Sequence, residues 1–233
     1  VQFSVNTAAE QILTRDGRVT GVVTDKGTIR CETVINAAGA HAFHIAKLVG
    51  LELPIVPVRH EYFISVPCEG LTPSFPVIRI PDLSLYIRTD VNALLLGGWE
   101  PNPLHTDPQK YALRGNPPGI EPDWDVLAKF AEDLVPQFPK ASDLGIRSVF
   151  KGWPTFTPDG RFIIGPTEKV KGFVMAGGCN AHGVSGSAGI GRHVVESLLE
   201  PKPSPYVQSL SPNRFSNSNW NWPSAQASAS RIY

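Results

Sequence analysis

The sequence has no surplus of charge of either sign. Its 233 residues carry 21 basic and 21 acidic side chains, for a formal net charge of zero. With no basic stripe, nothing draws the chain toward nucleic acid or an anionic membrane. No apolar run is long enough to span a bilayer. The opening VQFSVNTA alternates and has no basic segment followed by an apolar stretch, so no signal peptide is expected. Cysteine is scarce: Cys31, Cys68 and Cys179 are odd in number, far apart and free of any CxxC spacing. Neither a metal site nor a disulfide framework is expected from them. Reduced thiols suggest the cytosol, with the mitochondrial matrix as the alternative. The chain opens at Val1 on residues that already read as a strand. A piece of a longer protein is therefore expected.

What is present is an ordinary globular balance, 42% hydrophobic and 18% charged, with 22 prolines and 21 glycines marking many turns. Asp16-Gly17 and Lys26-Gly27 separate β-rich runs, which predicts an antiparallel meander over about 11–31. VINAAG is a short apolar run ending in small residues, as a buried strand ends at a ligand crevice. The next segment has helical spacing, with Ala42, Ile45, Ala46 and Val49 on one face and Gly50 as a C-cap. Four strand candidates occupy 54–100, and a Pro-rich loop 101–122. Asp123 reads as the N-cap of an amphipathic helix with a stripe of Val126, Leu127, Phe130, Ala131 and Leu134. Strands follow over about 146–177, then a helix from Ala188 to Glu200, and from Pro201 an extended tail. The order predicts an α/β or α+β chain of two packed units.

The stretch Phe173–Leu199 runs from strand through a glycine-rich turn into helix. It is neither of the two common phosphate loops. Gly189-x-Gly191 begins a dinucleotide fingerprint, but Val194 stands at the third glycine. Gly186 to Gly191 has P-loop spacing, but Arg192-His193 replaces the required Lys and hydroxyl. Glycines let a flat ligand approach the backbone, and the free N–H groups of a helix start favour partial negative charge, as near N1 and O2 of a flavin ring. Tight helix–strand packing alone would use the same glycines.

Seven segments in order carry a resemblance: VINAAGAHA, PIVPVRHEYF, LYIR, LLLGGWE, GWPTFTPDGRFIIGP, GFVMAGGCNAHGVSGSAGIGRHVVESLL and SPNRF. Together, up to about Phe215, they resemble the D-amino-acid-oxidase-like flavoproteins, in the dimethylglycine and sarcosine dehydrogenase/oxidase branch. The resemblance implies FAD as cofactor, part of a Rossmann-like FAD-binding domain at 1–56 and 153–200, and an antiparallel β-rich substrate cap at 57–152. The tail would be 201–233. The G-x-G-x-x-G turn and acidic ribose ligand of such proteins are not in this sequence, so the partner expected for this chain is the N-terminal half of the same protein.

By the same resemblance Ala38 and Gly39 end a strand that approaches the flavin. Gly178, Asn180, His182, Gly183 and Val184 match the turn that borders its ring. His60 and Tyr86 match active-site residues, where a neutral imidazole or a phenol could accept or relay the amine proton. Arg88 shares a strand face with Tyr86 and could pair with a substrate carboxylate, or form a surface salt bridge. Trp99 and Trp153 could wall the site or belong to the core. Alternation places Arg59 and Glu61 on one face and Val58, His60 and Tyr62 on the other.

The implied activity is oxidation of a secondary or tertiary N-methylated amino acid by hydride transfer to flavin N5. The alternatives are a non-catalytic regulatory relative and an oxidase of another small amine or D-amino acid. The expected partners are a small-molecule amine and no nucleic acid or membrane.

Overall fold

The computed structural model of the chain describes residues 1–114, 120–216 and 218–233. The first elements are the strands β1 (Ala9–Arg15), β2 (Arg18–Thr24) and β3 (Gly27–Arg30), an antiparallel meander in that order. Asp16 and Gly17 join the first two with φ of 52° and 71°. Positive φ at both central residues is what a tight hairpin turn demands, and Asp-Gly tolerates it best. Strand β4 (Val34–Asn36) leads through a 3-10 turn, Gly39–His41, into helix α1 (Ala42–Lys47). This helix buries Ala42, Phe43, His44 and Ala46, more of its surface than a single apolar stripe. Gly50 ends the segment at φ 68°. Strand β5 (Val56–Pro57) follows.

Next come β6 (His60–Ser65), β7 (Ile78–Ile80), β8 (Leu85–Asp90), β9 (Ala93–Gly98), helix α2 (Trp124–Leu134) and β10 (Ile146–Gly152). They form one antiparallel sheet in the order β10-β6-β9-β8-β7. Side chains alternate between its faces. Phe63, Leu85, Leu94 and Leu96 pack beneath Leu127, Phe130 and Leu134 of α2. Asp123 caps α2 through its carboxylate, which accepts from the Val126 N–H at 3.3 Å. Residues 115–119 of the predicted Pro-rich loop lie outside the described residues.

The chain closes with β11 (Thr155–Phe156), β12 (Ile163–Pro166), β13 (Phe173–Gly177), α3 (Ser187–Leu199), α4 (Pro205–Ser209) and α5 (Trp222–Ile232). Strand β11 pairs with β5. A three-stranded sheet has the order β12-β13-β4, with β13 and β4 parallel. Ile163, Phe173, Met175, Leu53, Ile55, Ala42 and Ala46 form its core. Among the described residues no helix is long and apolar enough to cross a membrane, and all three cysteines are free.

Two compact units result. One gathers Val1–Val58, His105–Pro118 and Pro154–Tyr233; the other gathers Arg59–Leu104 and Gly119–Trp153. The segment from Pro201, expected to be extended, is instead mostly helical. Its Ser, Pro and Asn are helix-start residues. Ser204, Ser211 and Asn221 each accept an N–H of the following turn, with Pro at one of the first two helical positions. Ala225 and Ala229 of α5 then bury against Val56, Val58 and Phe156.

The second unit is tied by one guanidinium. Arg59, just before β6, donates to both carboxylate oxygens of Glu100 at 3.0 and 2.6 Å and to Asp123 at 2.8 Å. Glu61 lies 3.8 Å away and accepts the Asp123 N–H at 3.2 Å. Burial pushes the Glu61 carboxyl above its usual range, and its Oε1 has no hydrogen-bond partner among the described residues. Removing the single cation from three carboxylates leaves uncompensated buried charge. Arg59→Ala is therefore expected to destabilise this unit by about 3–5 kcal/mol. Glu61→Gln, which takes away a charge that lacks a full set of partners, has a smaller effect. Urea unfolding of the two variants checks the contrast.

Candidate functional site

The face of the five-stranded sheet opposite α2 carries the candidate active-site residues. Strand alternation puts His60 and Tyr62 of β6, Tyr86 of β8 and Gly97 of β9 on this side, and Arg59 and Glu61 on the other. Register then brings them together, because Gly97 is paired with Tyr62 on one side and Tyr86 on the other. The His60 Nε2 and Tyr86 hydroxyl are 2.9 Å apart. Their rings are nearly parallel, with centroids 5.7 Å apart. Trp99, just past β9, touches both, at 5.5 Å from the imidazole and 5.2 Å from the phenol. Tyr62 is stacked on Phe150 of β10 at 5.1 Å.

Gly97 makes this packing possible. A Cβ there would meet the Tyr86 ring and hydroxyl and lie 2.8 Å from the Tyr62 Cβ. Glycine inside a strand marks such a close approach.

Burial sets the protonation states. It pushes the His60 imidazole down to about 4, because the charged form loses its solvent. Burial also holds the Tyr86 phenol above its usual range, with Tyr62 adding to the effect and Arg88 opposing it. The imidazole is thus neutral and the phenol keeps its proton at neutral pH, so the bond between them carries one proton, donated by the phenol or by Nε2 according to the imidazole tautomer.

Arg88 shares the Tyr86 face as predicted, but its Nη1 lies 3.8 Å from Asp90 and donates to the Thr89 carbonyl at 3.0 Å. Arg147 donates to the same Asp90 at 2.8 Å. Trp153 stands just beyond β10, next to Gly152, the register partner of His60. Two residues were missed by the sequence reading. One is Gly97, whose signal was a glycine within a strand. The other is Arg79, on the edge strand β7, with its guanidinium carbon 4.4 Å from the Trp99 ring. Its signal was the hairpin around residues 81–84, since counting back from that turn pairs Arg79 with Tyr86.

The expected cofactor-binding residues lie in the other unit. Parallel pairing of β4 and β13 brings their C-terminal ends to the same edge of the sheet. Ala38-Gly39 and Gly178 onward leave from that edge, where ligands of open parallel sheets bind. Asn36 shapes the first end: its amide donates to the Ala42 carbonyl at 2.8 Å and accepts from the Ala38 N–H at 3.3 Å. Gly39 has φ 54° and open space where a Cβ would stand.

In the second turn Asn180 is buried, with φ 46°, and accepts the Thr157 N–H at 3.0 Å, so its side chain shapes the turn from within. Gly178 packs on Thr157, 2.5 Å from where its Cβ would be. The His182 ring bonds to the Asn180 carbonyl, and Val184 is exposed. Helix α3 begins here without a side-chain cap, and the amides of Ala188 and Gly189 have no acceptor among the described residues. Gly189 and Gly191 have open space around them. Bare amides on a glycine-lined surface fit the electron-rich edge of a flavin ring. Ala38, Gly39 and the turn from Gly178 to Gly189 are the residues that would hold it.

Comparison with known proteins gives the family. A family model described as FAD dependent oxidoreductase (DAO) matches residues 1–197. Mitochondrial sarcosine dehydrogenase of Mus musculus is 30% identical over 86% of this chain and 22% of its own length. The formaldehyde-forming 4-methylaminobutanoate oxidase of Paenarthrobacter nicotinovorans is 30% identical over 92% of this chain and 26% of its own. The mitochondrial pyruvate dehydrogenase phosphatase regulatory subunit of Mus musculus is 31% identical over 92% and 25%. The chain thus spans about a quarter of the length of these relatives. The crystal structure of L-proline dehydrogenase from P. horikoshii superposes with a TM-score of 0.76 at 23% identity, covering 90% of this chain and 54% of that one, and so shares its fold. From the glycine-lined strand ends and the match over residues 1–197, the chain belongs to the FAD dependent oxidoreductase family.

Proposed function

We propose that this chain is part of a longer flavoprotein that oxidises a secondary or tertiary N-methylated amino acid. The observation that carries the reading is the His60–Tyr86 pair, 2.9 Å apart and walled by Trp99. The names of two relatives, sarcosine dehydrogenase and 4-methylaminobutanoate oxidase, point to the same substrate class. In such a reaction only the free amine has a lone pair to assist loss of hydride from the adjacent carbon. FAD, when bound, supplies the two-electron acceptor. An imidazole titrating near 4 does not retain an amine proton. Neutral and held by Tyr86, it positions the free amine with the lone pair unprotonated, while the proton released by the amine passes to water. The bond between the Tyr86 hydroxyl and Nε2 fixes the imidazole. The cofactor-binding role of Ala38, Gly39, Gly178, Asn180, His182, Gly183 and Val184 belongs to the same proposal. A second reading, a regulatory relative without turnover, has the 31% identical phosphatase regulatory subunit in its favour.

Anaerobic titration separates the two readings. The flavin-loaded protein is expected to bleach with sarcosine or dimethylglycine; indifference to every N-methylated amine offered would favour the regulatory role. The isolated 233-residue chain is expected to lose FAD on gel filtration, since it has no dinucleotide fingerprint. His60→Gln and Tyr86→Phe should slow flavin reduction by about 10²-fold or more. Gly97→Ala, which displaces Tyr86, should cost on the order of 10²-fold by misplacement alone. With its imidazole titrating near 4, His60 stays neutral from pH 5 to 9. The rate should then follow deprotonation of the substrate amine, and an acid limb near 6.5 would contradict the assigned role. The same depressed titration means that the folded protein resists protonation of His60. Stability should therefore fall as pH drops from 6.5 toward 4, and His60→Gln should flatten that slope in thermal melts.

A further inference from the structure

The geometry points to Arg79 as the residue that recognises the carboxylate of the substrate. This inference rests on the amine-oxidation reading above and extends it from the amine to the other end of the molecule. Arg79 is the register partner of Tyr86, so its side chain leaves the sheet on the same face as the His60–Tyr86 pair. Its guanidinium carbon sits 4.4 Å from the Trp99 ring. The same indole contacts His60 and Tyr86. One tryptophan therefore links the candidate amine-binding pair to a cation.

Charge pairing singles out Arg79 among the arginines of this unit. Arg59 lies on the opposite face, held by Glu100 and Asp123. Arg88 and Arg147 both face Asp90. The Arg79 side chain makes no ion pair or hydrogen bond with any described residue; its contact is the indole. Stacking suits a carboxylate receptor for a physical reason. A guanidinium presents all five N–H donors in its own plane. Lying against an aromatic ring uses its face and leaves the donor edges open for a two-pronged bond to a carboxylate. The ring also restricts the side chain beforehand, so less rotamer freedom is lost when the acid binds.

The substrate class that follows is an N-methylated amine bearing a carboxylate, with the neutral carboxamide a poor substitute. The test compares sarcosine with sarcosinamide as reductants of the flavin-loaded protein, in wild type, Arg79→Gln, Arg79→Lys and Arg88→Gln. Methoxyacetate, which replaces the amine by an ether oxygen and is not oxidised this way, reports binding alone by calorimetry. Wild type should prefer sarcosine. Arg79→Gln should raise KM for sarcosine and Kd for methoxyacetate by about tenfold or more, with kcat largely kept and the preference over the amide lost. Arg79→Lys should recover part of the binding, as a point charge without the planar fork. Arg88→Gln should keep the preference for sarcosine over the amide. The assignment is overturned if Arg79→Gln keeps the preference, if Arg88→Gln is the variant that loses it, or if wild type does not discriminate. In those three cases amine oxidation itself still stands. If wild type oxidises no amine at all, the functional reading fails and the assignment fails with it.

Discussion

The buried contact between Arg59 and its carboxylates organises the second unit. Arg59, only 8% exposed, is surrounded by Glu100, Asp123 and Glu61, which come from just past β9, the cap of α2 and β6. Three segments far apart in sequence are brought to one point, because a charge taken out of water must be matched there. The price of a mismatch is high, so the arrangement fixes where each segment starts or ends. Arg59 and Glu61 flank His60, and Glu100 follows Trp99. Fixing one face of these strands therefore fixes the residues that alternate to the other face.

On that other face the same alternation produces a nearly complete aromatic and polar wall. His60 and Tyr86 bond to each other, Trp99 backs both, and Arg79 stacks on Trp99. Partial burial then gives the wall its chemistry. A neutral imidazole and a protonated phenol can orient an amine without competing for its proton. In the other unit a different principle operates. Two parallel strands end side by side in small residues, and an uncapped helix start supplies amides in place of side chains. Neither group of residues uses a phosphate-loop motif, and the glycine spacing of 186–194 departs from one accordingly.

Much of this was legible in the sequence. The meander came from Asp16-Gly17 and Gly27, whose positive φ the structure shows. Helix α2 came from the Asp123 cap and its apolar stripe, and the structure starts it at Trp124. The separation of Arg59 and Glu61 from His60 and Tyr62 followed from alternation alone. Less was visible in the tail, where Ser-Pro and Asn read as irregular chain. The same residues cap helices once an apolar surface is there to receive Ala225 and Ala229. Arg88 and Arg79 show the limit most clearly. Sequence could place an arginine two residues from Tyr86, but not say that Asp90 faces it.

By itself, then, the sequence determined the local grammar: which runs are strands, where turns demand glycine, which residues share a face, and which family the chain resembles. These depend on periods of two or 3.6 residues and on backbone sterics, which act over short range. The tertiary structure decided partnership. The hydrogen bond between Tyr86 and His60, the space at Gly97, and the choice of Asp90 for Arg88 and Trp99 for Arg79 all depend on cross-strand register. Register is set by the packing of Phe63, Leu85 and Leu96 under α2 and by the buried charges around Arg59, which are long-range contacts. A side chain's neighbours along the chain fix the direction in which it points; only the fold fixes what it meets there.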